Sequence, residues 1–130
     1  MSGVDLLLDT NAAIAITKED SLALARLLAF QAPALSLFTL GELKFGVLKS
    51  SFKRESLQAV ERLRAAFSLL LPDDRTARYY AEIRLRLRRK GRPIPENDVW
   101  IAALALQRQL PLMSQDSHFH EIDALSVLSW

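Results

Sequence analysis

Four carboxylates stand out by where they fall. Asp9 ends the apolar run Leu6-Leu7-Leu8 and is followed by two small polar residues, Thr10 and Asn11. Glu42 closes Thr39-Leu40-Gly41-Glu42, Asp98 opens an alanine-rich stretch, and Asp116 follows Met113-Ser114-Gln115. Each has an ordinary explanation alone. Asp9 makes a good helix N-cap. Glu42 fits a capping box in which Thr39 accepts from the Glu42 backbone and Glu42 reaches back. Asp98 in a first helical turn suits the helix dipole, and Asp116 suits an Asx turn. Taken together they share a further property, since all lie at strand C-terminal ends or helix N-terminal ends. In a parallel α/β sandwich those positions meet along one edge of the sheet. Carboxylates gathered there repel, and some are pushed toward protonation. A divalent cation relieves the repulsion, and all-oxygen ligands suit hard ions such as Mg²⁺ or Mn²⁺. One or two such ions lower the pKa of a water and clamp a phosphodiester for in-line attack, with no histidine or lysine base.

Other polar residues supplement this set. Asn11 and Ser114 are placed to orient a carboxylate, the attacking water or a phosphate oxygen, although helix-start and turn polarity explain them equally. Arg84, Arg86, Arg88, Arg89, Lys90 and Arg92 form a basic stripe with no acid among them. Such a stripe in a chain of formal net charge +2 suggests a polyanionic partner held through phosphates. A solvated helix face is the plainer reading of these arginines. The stripe favours binding because it lacks interleaved acids and leads into the loop before Asp98. His118 and His120 are the only histidines. Their alternate spacing without cysteine is weak metal evidence, so His118 reads as a packing or turn residue and His120 as surface. Trp100 and Trp130 read as core or interface, and Lys44 as a helix-surface lysine.

The elements that must position these groups follow from pattern. Residues 4–9 read as a buried strand. Residues 10–17 form a short helix capped by Asp9 or Thr10, and a second helix runs from Asp20 or Ser21 to about Phe30, with Leu24, Ala25, Leu27 and Leu28 at helical spacing. Residues 34–37 form a strand. A helix follows the capping box to about Lys49, and another spans 52–67. Residues 69–71 form a strand stopped by Pro72. Asp73 or Asp74 caps a helix over 75–90, with Tyr80, Ile83 and Leu87 as its apolar stripe. Gly91 to Pro95 is a rigid loop, Asn97 an N-cap candidate, and 98–107 a helix. Residues 111–114 and 125–128 are strands flanking a loop or single turn at 116–121. The order is roughly βααβααβαβ with a terminal strand, which argues for an α/β sandwich around a mainly parallel sheet.

Length and composition agree. At 130 residues, half of them hydrophobic, the chain suits one soluble domain over 1–130. Absence of cysteine excludes disulfides and thiolate metal sites. No basic region precedes the first apolar run, so no signal peptide is expected. The longest run free of polar residues, 99–106, is too short to span a bilayer. A cytoplasmic protein is the expectation.

The blocks LLLDTN, TLGELKFG, GRPIPENDVWIAALAL and LMSQDSHFHEI, in this order and spacing, resemble PIN-domain proteins, and among them VapC-type ribonuclease toxins of toxin–antitoxin pairs. The resemblance runs from Val4 to Trp130. It implies a PIN-like three-layer sandwich, with the family's metal-binding acids falling on Asp9, Glu42, Asp98 and Asp116 and its small polar residues on Ser114 and Asn11. It further implies a Mg²⁺- or Mn²⁺-dependent endoribonuclease acting on structured RNA such as tRNA, homodimerisation, and inhibition by an antitoxin whose C-terminal segment lies across the site. Promoter DNA would be bound only through the antitoxin, and no membrane is involved. Phe38, Leu40, Phe45 and Phe52 are candidates to meet that antitoxin, though pattern alone does not separate them from core. His118-Phe119 fits a common variant of the last block. Gly41 departs from the usual residue and weakens the capping box without touching the metal assignment.

Two other readings compete. A phosphotransfer or phosphatase domain would use Asp9 as nucleophile, but it needs a second acid within two residues or a lysine at a later strand end. A non-catalytic RNA-binding or scaffold domain would use the acid pocket only to hold an ion or a partner arginine.

Overall fold

Three consecutive leucines between two aspartates can be satisfied only in the middle of a sheet covered on both faces. In the computed structural model, which describes residues 3–130, β1 (Leu6–Leu8) is that central strand and is fully buried. The chain continues through α1 (Thr10–Thr17), α2 (Ser21–Leu27), β2 (Pro33–Ser36), α3 (Leu37–Lys49), α4 (Lys53–Ala66), β3 (Ser68–Leu70), α5 (Asp74–Lys90), α6 (Glu96–Arg108), β4 (Leu112–Met113), a 3₁₀ turn (Ser117–Glu121) and β5 (Val127–Leu128). Two helices separate the third and fourth strands, as the helices expected over 75–90 and 98–107 require, although the order βααβααβαβ counts only one. The break at Gly91–Pro95 divides one long basic helix from the alanine-rich one, because Gly91 adopts φ +66° and two prolines follow.

The sheet order is β3-β2-β1-β4-β5, and every neighbouring pair is parallel. From β1 the chain builds outward through β2 to β3, then returns to place β4 on the other side of β1. The order reverses between β1 and β4, and the crevice at such a switch point is where open α/β sheets bind ligands. Leu7 lies opposite Ala34 and Leu112, so side chains alternate between the two faces in register. Leu7, Ala34, Leu70 and Leu112 pack with Ile83, Leu87, Ile101, Leu104 and Phe119 under α5 and α6. Leu6, Leu8, Leu35 and Met113 pack with Ala12, Ala13, Leu40, Leu43, Val60 and Leu63 under α1 to α4. The result is a three-layer sandwich. The alanines at 102, 103 and 105 are fully buried, which lets α6 lie close on the sheet.

Several local expectations are corrected. Ser36, not Thr39, caps α3: its Oγ accepts from the Thr39 amide at 3.0 Å, and Thr39 is buried inside the first turn. The helix thus starts earlier than the capping box implied. A capping box does form at α5, where Asp73 accepts from the amides of Arg75 and Thr76 while Thr76 Oγ1 accepts from the Asp73 amide. Asn97 is not the cap of α6; Pro95 holds that position without a side-chain bond. Helix α2 stops at Leu27, buries only Ala23, and leaves Leu28 85% exposed. The first and last strands, Leu6–Leu8 and Val127–Leu128, are shorter than the 4–9 and 125–128 expected of them. Of the four candidate contact residues, Leu40 is buried and Phe38 stacks on Trp100 with centroids 5.5 Å apart, whereas Phe45 and Phe52 are exposed. Among the described residues no helix is long and apolar enough to cross a membrane.

Candidate active site

At the switch point, the end of β1 and the end of β4 place Asp9 and Ser114 side by side. The Asp9 amide donates to the Met113 carbonyl at 3.1 Å, extending the ladder one residue past the strand. Asp9 is the N-cap of α1, with Oδ1 accepting from the Ala12 amide at 2.7 Å. Its other oxygen accepts from the Ser114 hydroxyl at 2.5 Å. The cap explanation therefore holds, and the same side chain stands at the switch point. With 3% of the residue exposed, burial is the main reason the Asp9 carboxyl is pushed up to about 6. The Ser114 hydroxyl and the Ala12 amide oppose that rise, while the charges of Asp98 and Asp116 add to it.

The other three acids arrive from separate elements. Glu42, half-buried on α3, accepts from Thr10 Oγ1 at 2.8 Å, which ties it to the residue after Asp9. Asp98 lies in the first turn of α6. Burial raises its pKa, the charges of Asp116 and Glu42 raise it further, and His118 opposes them. Asp116 caps the 3₁₀ turn, its Oδ1 accepting from the His118 amide at 2.9 Å, and its own amide donates to Ser114 Oγ at 2.9 Å. Ser114, 1% exposed, thus binds Asp9 on one side and the Asp116 backbone on the other. Asp9 thus feels the charges of Asp98 and Asp116, and Asp98 those of Asp116 and Glu42. Among the described residues, no lysine or arginine pairs with any of them.

Two contributors escaped the sequence reading. Thr10 is one, since its hydroxyl role depends on α3 lying opposite. His118 is the other. Far from being a mere packing residue, it sets Nδ1 3.2 Å from Asp98 Oδ2 and 3.0 Å from Asp116 Oδ1. The Asx turn expected at Asp116 is what aims it. Spacing could not reveal this, because Asp98 is 20 residues away in sequence. Asn11 sits exposed at the lip, lining a shallow cleft with Asp116, Gln115 and Trp130.

The basic stripe is only partly free. Arg84 pairs with Glu96 at 3.2 Å and Lys90 with Asp123 at 3.1 Å, so acids from other segments engage two of the six. Among the described residues, Arg86, Arg88, Arg89 and Arg92 are exposed and make no ion pair. The Arg84–Glu96 contact brings the stripe to the start of α6. Trp100 stacks on Tyr80 with centroids 3.9 Å apart, confirming a packing role, and His120 and Lys44 are exposed.

The donor set fits a hard divalent cation. It offers carboxylate oxygens from four segments, two with raised pKa and, among the described residues, none paired with a lysine or arginine, and Asp98, Asp116 and His118 present ligand atoms within 4.8 Å of one another. A nucleophilic Asp9 fits poorly, since both of its oxygens are engaged and the residue is buried.

Comparison with known proteins agrees with the fold. A PIN domain family model matches residues 6–125. Ribonuclease VapC5 of Mycobacterium tuberculosis is 38% identical over 93 residues, covering 69% of this chain and 68% of that protein. The structure of VapBC2 from Rickettsia felis bound to a DNA fragment from its promoter superposes with a TM-score of 0.88 at 26% identity, covering 98% of this chain and 99% of that one. That of VapBC-5, a member of the VapBC family of toxin–antitoxin systems from Mycobacterium tuberculosis, gives 0.78 at 34% identity, covering 98% and 97%.

Proposed function

The chain belongs to the PIN-domain family and, within it, to the VapC group; on that footing we propose that residues 1–130 act as one metal-dependent endoribonuclease, the toxin of a toxin–antitoxin pair. What supports this reading is that Asp9, Glu42, Asp98 and Asp116 come from four segments to the sheet's switch point with, among the described residues, no lysine or arginine paired to them. Asp9, Glu42, Asp98 and Asp116 would hold Mg²⁺ or Mn²⁺. Such an ion supplies Lewis acidity at the scissile phosphate and lowers the pKa of a water.

The chain's own residues do the rest. Ser114 and the Ala12 amide fix the Asp9 carboxylate, and Thr10 fixes Glu42, so the oxygens are preorganised. Asn11, at the lip, orients phosphate oxygens. Arg86, Arg88, Arg89 and Arg92 hold flanking phosphates, giving affinity and salt dependence without sequence reading. Arg84 and Lys90 contribute less, being already paired. The substrate is structured RNA, such as tRNA, met in the cytoplasm. The exposed apolar side chains Phe45, Leu48 and Phe52 support a protein partner, here a cognate antitoxin through which promoter DNA would be bound, and the toxin would act as a homodimer.

The test is cleavage of cellular RNA by wild type and Asp98→Asn, with Mg²⁺ and with chelator. Wild type with Mg²⁺ should cut, and the other combinations should not. Full cleavage by metal-stripped wild type sinks the reading, as does a metal-loaded protein that binds RNA without cutting it.

A further inference from the structure

His118 sets one ring nitrogen between two carboxylates of the candidate metal site. Its Nδ1 lies 3.2 Å from Asp98 Oδ2 and 3.0 Å from Asp116 Oδ1. One ring nitrogen carries at most one proton, so between those two oxygens it makes at best a shared, three-centre hydrogen bond. If the proton sits on the other nitrogen, Nδ1 turns a lone pair toward two carboxylates. The backbone enforces the arrangement, because the Asp116 carboxylate that caps the 3₁₀ turn also binds the His118 amide at 2.9 Å.

The spacing matches another arrangement. In an octahedral site with bonds of roughly 2.0–2.2 Å, adjacent donor atoms stand about 3 Å apart. The nitrogen and two oxygens have that separation, and all three atoms lie within 4.8 Å of one another. The His118 side chain is 44% exposed, which leaves room beside it for an ion and its waters.

We propose that His118 Nδ1 is a direct ligand of the metal centre, alongside Asp98 and Asp116, and that this single imidazole biases the site toward Mn²⁺ over Mg²⁺. The inference rests on the metal-dependent reading above and deepens it. The chemistry is that of ligand softness: Mg²⁺ favours carboxylate and water oxygens, whereas an imidazole strengthens the hold on later divalent ions.

The test reads the metal itself. Metal-free protein is loaded with substoichiometric Mn²⁺ and examined by electron spin-echo envelope modulation. Wild type should show ¹⁴N modulation that changes to the ¹⁵N pattern when histidine is ¹⁵N-labelled. The signal should persist in His120→Gln and vanish in His118→Gln, while Mn²⁺ still binds. By competition titration, the preference for Mn²⁺ over Mg²⁺ should fall about tenfold in His118→Gln. Bound Mn²⁺ without nitrogen modulation in wild type overturns the assignment of His118 and leaves the metal-dependent reading intact. Failure of wild type to bind Mn²⁺ overturns both. Labelled wild type and His120→Gln decide the matter even if His118→Gln does not fold.

Discussion

Replacing Asp9 with asparagine should stabilise the metal-free protein at neutral pH while destroying its proposed activity. The Asp9 carboxyl titrates at about 6 in the folded chain against an ordinary 3.8. A raised acid pKa means the folded state binds the proton more tightly than the unfolded state. The linked stability is fully present below 3.8 and is lost as pH rises through about 6. At pH 7.5 the ionised Asp9 therefore opposes folding by about 3 kcal/mol, and at pH 4.5 by only about 1 kcal/mol. Asparagine carries no charge and caps helices as well as aspartate does. It keeps the acceptor for the Ala12 amide. Its amide group meets Ser114 Oγ, which already accepts from the Asp116 amide, so the serine proton loses its acceptor at a cost of about 1 kcal/mol. The net gain is about 2 kcal/mol at pH 7.5 and close to zero at pH 4.5. Chemical denaturation of both proteins in chelator at the two pH values measures it. Excess Mg²⁺ should then reverse the order at pH 7.5, since a ligand at 100 times its Kd adds about 2.7 kcal/mol to wild type alone. If Asp9→Asn destabilises the metal-free protein at pH 7.5, or changes stability equally at both pH values, the account of a buried carboxylate whose charge opposes folding is wrong.

Three further outcomes follow from other parts of the chain. Ser36→Ala removes the buried cap of α3 and should cost about 1–2 kcal/mol in a denaturation curve, whereas a capping box at Thr39 would make it nearly silent. Gly91→Ala meets open space, so only its φ of +66° opposes the methyl, and the expected loss is about 1 kcal/mol by thermal or chemical unfolding. Arg88→Ala and Arg89→Ala should each weaken RNA binding and lower the slope of log affinity against log salt by about 1, while Arg84→Ala, already paired with Glu96, should change the slope less.

The first helix shows how much local pattern can specify. Its boundaries at Thr10 and Thr17 are those the sequence implies, and its Asp9 cap is one of the two the sequence offers, because N-cap chemistry and the alanine run act within a few residues. Asp73 capping α5 and the apolar stripe Ile83 and Leu87 are legible for the same reason. The α3 start was misread because Ser36 and Thr39 offer equivalent hydroxyls, and only the register of β2 against β1 decides which one stands at the helix mouth. Leu28 had the right period and no neighbour to cover it.

The same division runs through the site. Strand-ending and helix-opening acids are a matter of one-dimensional position, so Asp9, Glu42, Asp98 and Asp116 could be singled out from residue order alone. That Glu42 answers to Thr10, that Ser114 joins Asp9 to Asp116, and that His118 stands between two carboxylates depend on three crossovers folding back around β1. Backbone capping and periodicity are forces of short range along the chain, and the sequence determines them directly. Charge repulsion, desolvation and ligand geometry act through space, so their partners exist only once the sheet order has brought β4 beside β1.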